Sequence, residues 1–291
     1  MINGVDDNGN GNGNGNDNGN SNSHLPLVTV IVVCYNVEQF LDEALNSVWA
    51  QGYPCVEVVL CDDDSNDQTR QIMRRHDELH PGRVVLSFSD VNQGFTRNWR
   101  RGLEQANGKY VVKLDGDDVW LPGKLWSQVQ YMEENPMVCA CYHDQEIFNS
   151  DDGKLITLMS EVDPPHAGGV REVVRYGTFA CTTIMVRNCK RLPMPRTFLK
   201  YGSDWMWTFD VLKNGGAIEY IDGVYSRYRR HGGNVTSKRM MRVQLDHLLA
   251  ALLMALNRPN QLANIAYRIT YGGLAYLTRI LANKDFFQPN R

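Results

Sequence analysis

Basic residues are missing from the start of this chain: no lysine or arginine precedes Arg70, while aspartate and glutamate are plentiful there. A secretory leader needs a basic n-region, so none is expected. Long apolar runs are missing too. The most hydrophobic helical stretch, His247 to Leu256, falls short of the ~18–20 residues that span a bilayer. The seven cysteines form no C-x-x-C pair, and Cys139-x-Cys141 has no matching partner pair. Their number is odd, and Cys34, Cys61, Cys139, Cys141 and Cys181 lie in apolar, strand-like contexts. Buried free thiols in a reducing compartment are expected, hence a cytoplasmic protein. No G-x-G-x-x-G follows the first apolar run, which argues against a dinucleotide cofactor.

What is present is unevenly placed. The net charge is −3, yet from Asp222 onward eleven Lys and Arg face three Asp. A basic C-terminal part suits an anionic partner, either phosphates or an acidic membrane surface; solvated helix faces suit it equally well. Residues 1–24 are dominated by Asn and Gly and cannot bury enough apolar area to order themselves. They are read as a disordered tail. The Gly9 to Gly13 repeats are not a phosphate loop, because no strand precedes them and no helix follows.

Order begins at Leu27. Leu27 to Cys34 is a continuous β-branched run, the mark of a strand buried on both faces. Glu38 to Gln51 reads as a helix, Val56 to Cys61 as a second strand, and Ser65-Asn66-Asp67 caps a helix running to Leu79. Arg83 to Phe88, Phe95 to Ala106 and Tyr110 to Leu114 follow as strand, helix and strand. The order βαβαβαβ implies an α/β fold with a parallel sheet and right-handed crossovers. Beyond it, Met137 to Tyr142 and Thr178 to Val186 read as strands. Ala217 to Ile221 and Val224 to Arg229 read as a strand pair joined at Asp222-Gly223. Met240 to Asn257 and Gln261 to Ala282 read as helices.

A parallel sheet brings its strand ends to one edge, where open α/β sheets bind ligands. Here strand one ends at Cys34-Tyr35-Asn36, strand two at Asp62-Asp63-Asp64-Ser65, and strand four at Asp115-Gly116-Asp117-Asp118. A lone D-G-D-D is most simply a solvated acidic turn. Two acidic clusters at one edge repel each other unless a cation or hydrogen-bond donors offset them. One or two carboxylates with substrate phosphates are the usual holders of Mg²⁺ or Mn²⁺. Gly116 is read as leaving room for a bulky anion to approach the backbone.

Six motifs occur in one order: Val28 to Asn36, Leu45 to Gln51, Asp62 to Asp67, Asn92-Gln93-Gly94 with Arg97-Asn98, Gly108 to Tyr110, and Leu114 to Asp118. Together they resemble family 2 glycosyltransferases of the GT-A fold, over about residues 27–237. The resemblance implies a catalytic domain at 25–237, with a nucleotide-binding half (25–120) and an acceptor half (121–237). Residues 238–291 would form a C-terminal helical extension. It implies inverting hexosyl or N-acetylhexosaminyl transfer from a nucleotide-diphosphate donor, usually a UDP-sugar, to an acceptor hydroxyl. The acceptor would be a glycan or lipid-linked glycan, with no role for nucleic acid. On the matching positions, Asp63 bonds the base, Tyr35 and Asn36 pack base and ribose, and Cys34 and Arg97 belong to the same nucleotide site. Asp115 lies near the donor ribose, while Asp117 and Asp118 hold a divalent ion, Mn²⁺ or Mg²⁺.

The family's general base is a carboxylate at the start of a later helix, and Tyr201 to Trp207 matches that segment. Asp204 is the implied base; the alternative is a helix N-cap role, with Asp210 as fallback. Many relatives carry Glu-Asp where this chain has Ser203-Asp204. Tyr228-Arg-Arg-His231 resembles the segment that closes over the diphosphate. There His231 either ligates the metal or donates to a phosphate oxygen, and a structural role is the alternative. Phe179, Thr182, Thr183 and Trp205 are candidates for the acceptor side. The basic and aromatic residues of the C-terminal helices are candidates for peripheral contact with the inner face of a membrane. Two rival readings remain. One is a nucleotidyltransferase, which normally carries a Gly-rich basic loop where this chain has Cys34 to Glu38. The other is a sugar-nucleotide-binding protein that has lost catalysis, which the departure at Ser203 keeps open.

Overall fold

The β-branched runs become strands buried as their composition requires. A computed structural model of the chain describes residues 25–177, 181–188, 192–234 and 240–272. It places β1 at Val28–Cys34, β2 at Val56–Asp62, β3 at Val84–Phe88 and β4 at Tyr110–Asp115. Every residue of β1 is buried, and β2 leaves only Glu57 partly exposed. These four strands pair in parallel in the order β3-β2-β1-β4. Register sets Cys34 opposite Asp62 and Val33 opposite Asp115, so the two acidic strand ends and the end of β1 share one edge.

Alternation along the strands sends side chains to two cores. Val28, Val30 and Val32 pack with α1 (Leu41–Trp49), α2 (Thr69–Leu79) and, further along, α4 (Lys124–Glu134). Ile31, Val33, Val59 and Cys61 pack with Trp99 and Leu103 of α3 (Phe95–Leu103). Gly102 is what lets α3 lie so close. A Cβ there would sit 2.4 Å from Ile31 Cγ2 and 2.9 Å from Cys61 Sγ.

The second half extends the same sheet. The elements are β5 (Val119–Trp120), β6 (Val138–Asn149), β7 (Leu155–Leu158), α5 (Met159–Val162), α6 (Val170–Tyr176), β8 (Met185–Arg187), α7 (Ser203–Leu212), β9 (Ala217–Arg230), α8 (Met240–Asn257) and α9 (Leu262–Tyr267). The strand order continues β4-β8-β6-β9-β5, with β7 on β6. β8 is antiparallel to both neighbours, and β9 runs parallel to β6.

Two sequence expectations change here. The strand expected over Thr178 to Val186 is a 3₁₀ turn at Cys181–Thr183 followed by the short β8, and residues 178–180 lie outside the described segments. The expected hairpin at Asp222-Gly223 is instead one 14-residue strand, β9. Gly223 adopts φ 124°, and the β6–β9 register shifts between Tyr142 and Asp144. The glycine is thus spent on an irregularity within a strand, where its permissive backbone serves as well as in a turn. The last helix, expected over Gln261 to Ala282, is helical as far as it is described, as α9 and a π-helical turn at Arg268–Gly272; residues 273–282 lie outside the described segments.

A buried polar pair supports the second half. Lys124, at the start of α4, and His143, on β6, are both fully buried with Nζ and Nε2 2.6 Å apart. His143 Nδ1 lies 2.7 Å from the Asp144 carbonyl, which makes Nδ1 the protonated nitrogen and leaves Nε2 to accept from Lys124. Burial pushes the Lys124 ammonium down to about 7.

Two outcomes follow. Gly102→Ala should lower stability by about 1–3 kcal/mol through overpacking, against a helix-propensity gain of at most about 1 kcal/mol; an unchanged urea midpoint would show that α3 can shift away. In the unfolded chain Lys124 titrates near 10.4, so the unfolded state binds more protons from about pH 7 upward and stability rises with pH there. Melting temperatures between pH 7 and about 8.5, below thiol ionisation, should climb in the native chain and climb less in Lys124→Met.

Candidate active site

The D-G-D-D turn is held from two sides. Asp118 N donates to the Asp115 carbonyl at 3.0 Å, closing the turn after β4. Gly116 is pressed against β1: its amide donates to the Val33 carbonyl at 3.0 Å, and a Cβ would sit 3.0 Å from Cys34 Sγ and 3.1 Å from Val37 Cγ2. The glycine therefore serves backbone packing, not the approach of an anion. From the other side comes the end of β9. Arg229 N donates to Asp118 Oδ1 at 3.0 Å and Arg229 Nε to the Asp117 carbonyl at 2.8 Å. The same guanidinium pairs with Glu43 and lies over the Phe40 and Phe148 rings. Asn234 locks this segment by accepting from His231 N at 2.6 Å and donating to the Arg229 carbonyl at 3.1 Å.

The three carboxylates of the turn differ in their surroundings. Asp115 pairs with the buried Lys113 at 2.6 Å, yet burial and the Asp117 and Asp204 charges still raise its carboxyl above the usual range. Asp117 Oδ2 lies 3.0 Å from His231 Nε2. Asp118 is 1% exposed, and its Oδ2 is buried with no hydrogen-bond partner. Burial, together with the charges of Asp117 and Asp115, pushes its carboxyl well above the carboxylate range. An orphaned buried oxygen is costly, and a divalent cation beside Asp117 and Asp118 would satisfy it. Among the described residues no group of three His, Cys, Asp or Glu side chains could hold a metal by itself. Two carboxylates completed by substrate phosphates remain a fitting donor set.

The second acidic cluster is largely neutralised by the protein. Asp62, fully buried, accepts from Ser65 N at 3.1 Å and from Arg70 Nε at 2.5 Å. Asp63 accepts the Gln93 and Gly94 amides at 2.9 and 2.7 Å, which fixes the loop entering α3. A carboxylate has about four acceptor sites, so Asp63 keeps capacity for a further donor. Asn36, at φ 51°, donates its amide to Ser65 Oγ and accepts Asn66 N, both at 2.9 Å. Tyr35 is half exposed, Arg97 is exposed on the first turn of α3, and Cys34 is buried under the turn.

Asp204 lies on the first turn of α7, where Oδ1 accepts the Trp205 amide at 2.8 Å. Its charge is felt at Asp115, Lys113, Cys181 and His247, which sets it in the neighbourhood of the acidic turn. Asp210, in contrast, is paired with Arg196 at 3.1 Å and Lys213 at 2.8 Å and is committed to structure. Ser203 is buried 3.1 Å from the Thr96 hydroxyl.

The acceptor-side candidates fare worse. Trp205 is buried, its indole N–H donating to the Val173 carbonyl at 2.8 Å and its ring against His247, so it offers no face to a sugar. Trp207 is likewise buried, donating to the Pro193 carbonyl at 2.6 Å. Thr182 and Thr183 are buried: the Thr182 hydroxyl accepts from Gln145, and the Thr183 carbonyl from Gln128 and Lys124. Phe179 lies outside the described residues. Sequence reading missed Lys113 and His247, both near Asp204. The only hint of Lys113 was a cation at i−2 from Asp115 in an apolar strand, on the same face.

Three comparisons place this geometry. The Escherichia coli protein WfgD, a UDP-Glc:α-D-GlcNAc-diphosphoundecaprenol β-1,3-glucosyltransferase, is 24% identical over 246 residues, covering 84% of this chain and 92% of its own. The Staphylococcus aureus protein TarS, residues 1–349 with UDP, superposes with a TM-score of 0.64 at 20% identity, over 83% of this chain and 71% of TarS. The Pyrobaculum calidifontis mannosyltransferase PcManGT, with GDP-mannose and Mn²⁺, gives 0.63 at 19% identity, over 90% and 76%. Both superpositions carry the GT-A fold. Residues 29–190 match the family model "Glycosyl transferase family 2", which is more than half of the sequence. The acidic sheet edge thus belongs to a glycosyltransferase, and the chain is a member of family 2.

Proposed function

We propose that this glycosyltransferase moves a sugar from a nucleoside diphosphate, UDP foremost, to a hydroxyl of a surface glycan built on a lipid diphosphate carrier. One observation carries the reading: the acidic turn holds the Asp117–Asp118 pair with an orphaned buried oxygen, and the separate carboxylate of Asp204 lies near enough for its charge to act on Asp115 and Lys113. The relative WfgD, named for a UDP-glucose donor and an undecaprenol-linked acceptor, supports the choice of substrates.

In this reading Asp117 and Asp118 hold Mn²⁺ or Mg²⁺, which when bound neutralises the charge developing on the departing diphosphate. Asp63 accepts the base N–H, with Tyr35, Asn36, Cys34 and Arg97 around base and ribose and Asp115 toward the ribose. His231 takes the donor role, not the ligand role. Gly233 N donates to its Nδ1 at 3.2 Å, so the neutral ring carries its proton on Nε2. That N–H now faces Asp117 and is free to turn to a phosphate oxygen. Asp204 removes the acceptor proton as the acceptor oxygen bonds the anomeric carbon and the bond to diphosphate breaks, inverting the centre.

Thermal unfolding should rise with UDP, and rise further with UDP and Mn²⁺ together, because a ligand of the folded state stabilises it. Asp118→Asn should keep the UDP shift and lose the Mn²⁺ increment. No shift with any nucleoside diphosphate would sink the donor assignment. Asp204→Asn should cut transfer by about 10²–10⁴-fold while leaving the UDP shift intact. Unimpaired transfer by that variant would remove Asp204 as base, and a native protein that binds UDP but neither transfers nor hydrolyses would favour a non-catalytic binder.

A further inference from the structure

Helix α8 carries apolar side chains on both its inner and its outer face, and apolar faces of a helix are normally covered. Its inner face is covered: Ala250, Ala251 and Met254 are buried in the core shared with α6 and α7. Its outer face is not. Leu245, Leu248, Leu249, Leu252 and Leu256 are 60%, 48%, 38%, 56% and 70% exposed. Their spacing of three and four residues makes them one stripe along the side of α8 that faces away from Ala250 and Met254. Other exposed apolar residues, such as Leu79, Met137 and Phe198, are scattered singly along the sequence. A contiguous apolar stripe marks an interaction surface, as single exposed residues do not.

Charge indicates what covers it. Arg242 is exposed in the first turn of α8, and Arg258 follows its end. The one acid on the helix, Asp246, turns inward and accepts the Lys200 and Tyr201 amides at 2.6 and 2.8 Å. No glutamate occurs after Glu219; Lys238 and Arg239 precede the helix in sequence, and beyond it Arg279, Lys284 and Arg291 outnumber the one acid, Asp285. Two copies meeting through this face would bring cations together. An anionic lipid surface would attract them and accept the leucines, the arrangement of an in-plane interfacial helix. Among the described residues no helix is long and apolar enough to cross a membrane, so attachment would be at the surface.

We infer that the leucine face of α8 docks this enzyme on an anionic bilayer. The inference deepens the proposed function, and rests on it for why a bilayer matters: the Asp246 bonds fasten α8 to residues 200 and 201, directly before Asp204. The acceptor side of the site would then lie about one helix diameter, ~10 Å, from the lipid.

Vesicle flotation with the full chain tests it, using phosphatidylcholine vesicles with and without phosphatidylglycerol. The native protein should float with the anionic vesicles, less so as salt increases. Leu248→Gln with Leu252→Gln should reduce the bound fraction at least about tenfold, with the UDP thermal shift unchanged. Failure of the native protein to float, or undiminished flotation of the double variant, would overturn the inference. So would a vesicle-free dimer, seen by sedimentation, that the same two substitutions dissociate; the face would then belong to a second copy. Flotation without any nucleotide shift would uphold the surface while removing the donor assignment.

Discussion

Carboxylates gathered at a partly buried sheet edge repel one another, and compensating that repulsion organises much of this molecule. Asp62 is matched by Arg70 and the Ser65 amide, Asp63 by two backbone amides, Asp115 by the buried Lys113, and Asp117 by His231. Each compensating group comes from a different segment, so charge balance at the edge also fastens the loop before α2, the entry to α3, and the end of β9. Asp62 and Asp118 each keep one buried oxygen without a partner. Asp62 has an arginine on its other oxygen, whereas Asp118 has only one backbone donor there. Of the two, Asp118 is the one left without a cation.

The first half of the chain was legible because local pattern and tertiary role agree there. Uninterrupted β-branched runs such as Val28 to Cys34 can only be strands buried on both faces, and their alternation with helices dictates a parallel edge. The motif order identified the family. The second half was less legible because its signals have two uses. Asp222-Gly223 is a turn by composition, and only pairing with β6 shows it to be an irregularity inside β9. Trp205 beside a candidate base suggests sugar stacking, and only packing shows its ring spent on the core.

Side-chain assignments were hardest where one residue type serves structure and chemistry alike. Asp63 reads as a nucleotide contact, yet it also fixes the Gln93-Gly94 loop, and a carboxylate has acceptors enough for both. His231 reads from sequence as metal ligand or proton donor, and the Gly233 amide on its Nδ1 is what supports the donor proposal. Lys113 had no motif to announce it. Its importance comes from its place on β4, where it pairs with Asp115 and feels the charge of Asp204.

The clamp that Arg229 places on Asp117 and Asp118 spans more than a hundred positions of sequence, with separations of 112 and 111. Contacts so distant along the chain are late to form, since a large loop must close first. During synthesis from the N-terminus, the strands that display the acidic turn exist well before the strand that fastens it. The acidic turn is therefore made early and fastened late, and the sheet edge takes its final form only after β9 and Asn234 have left the ribosome.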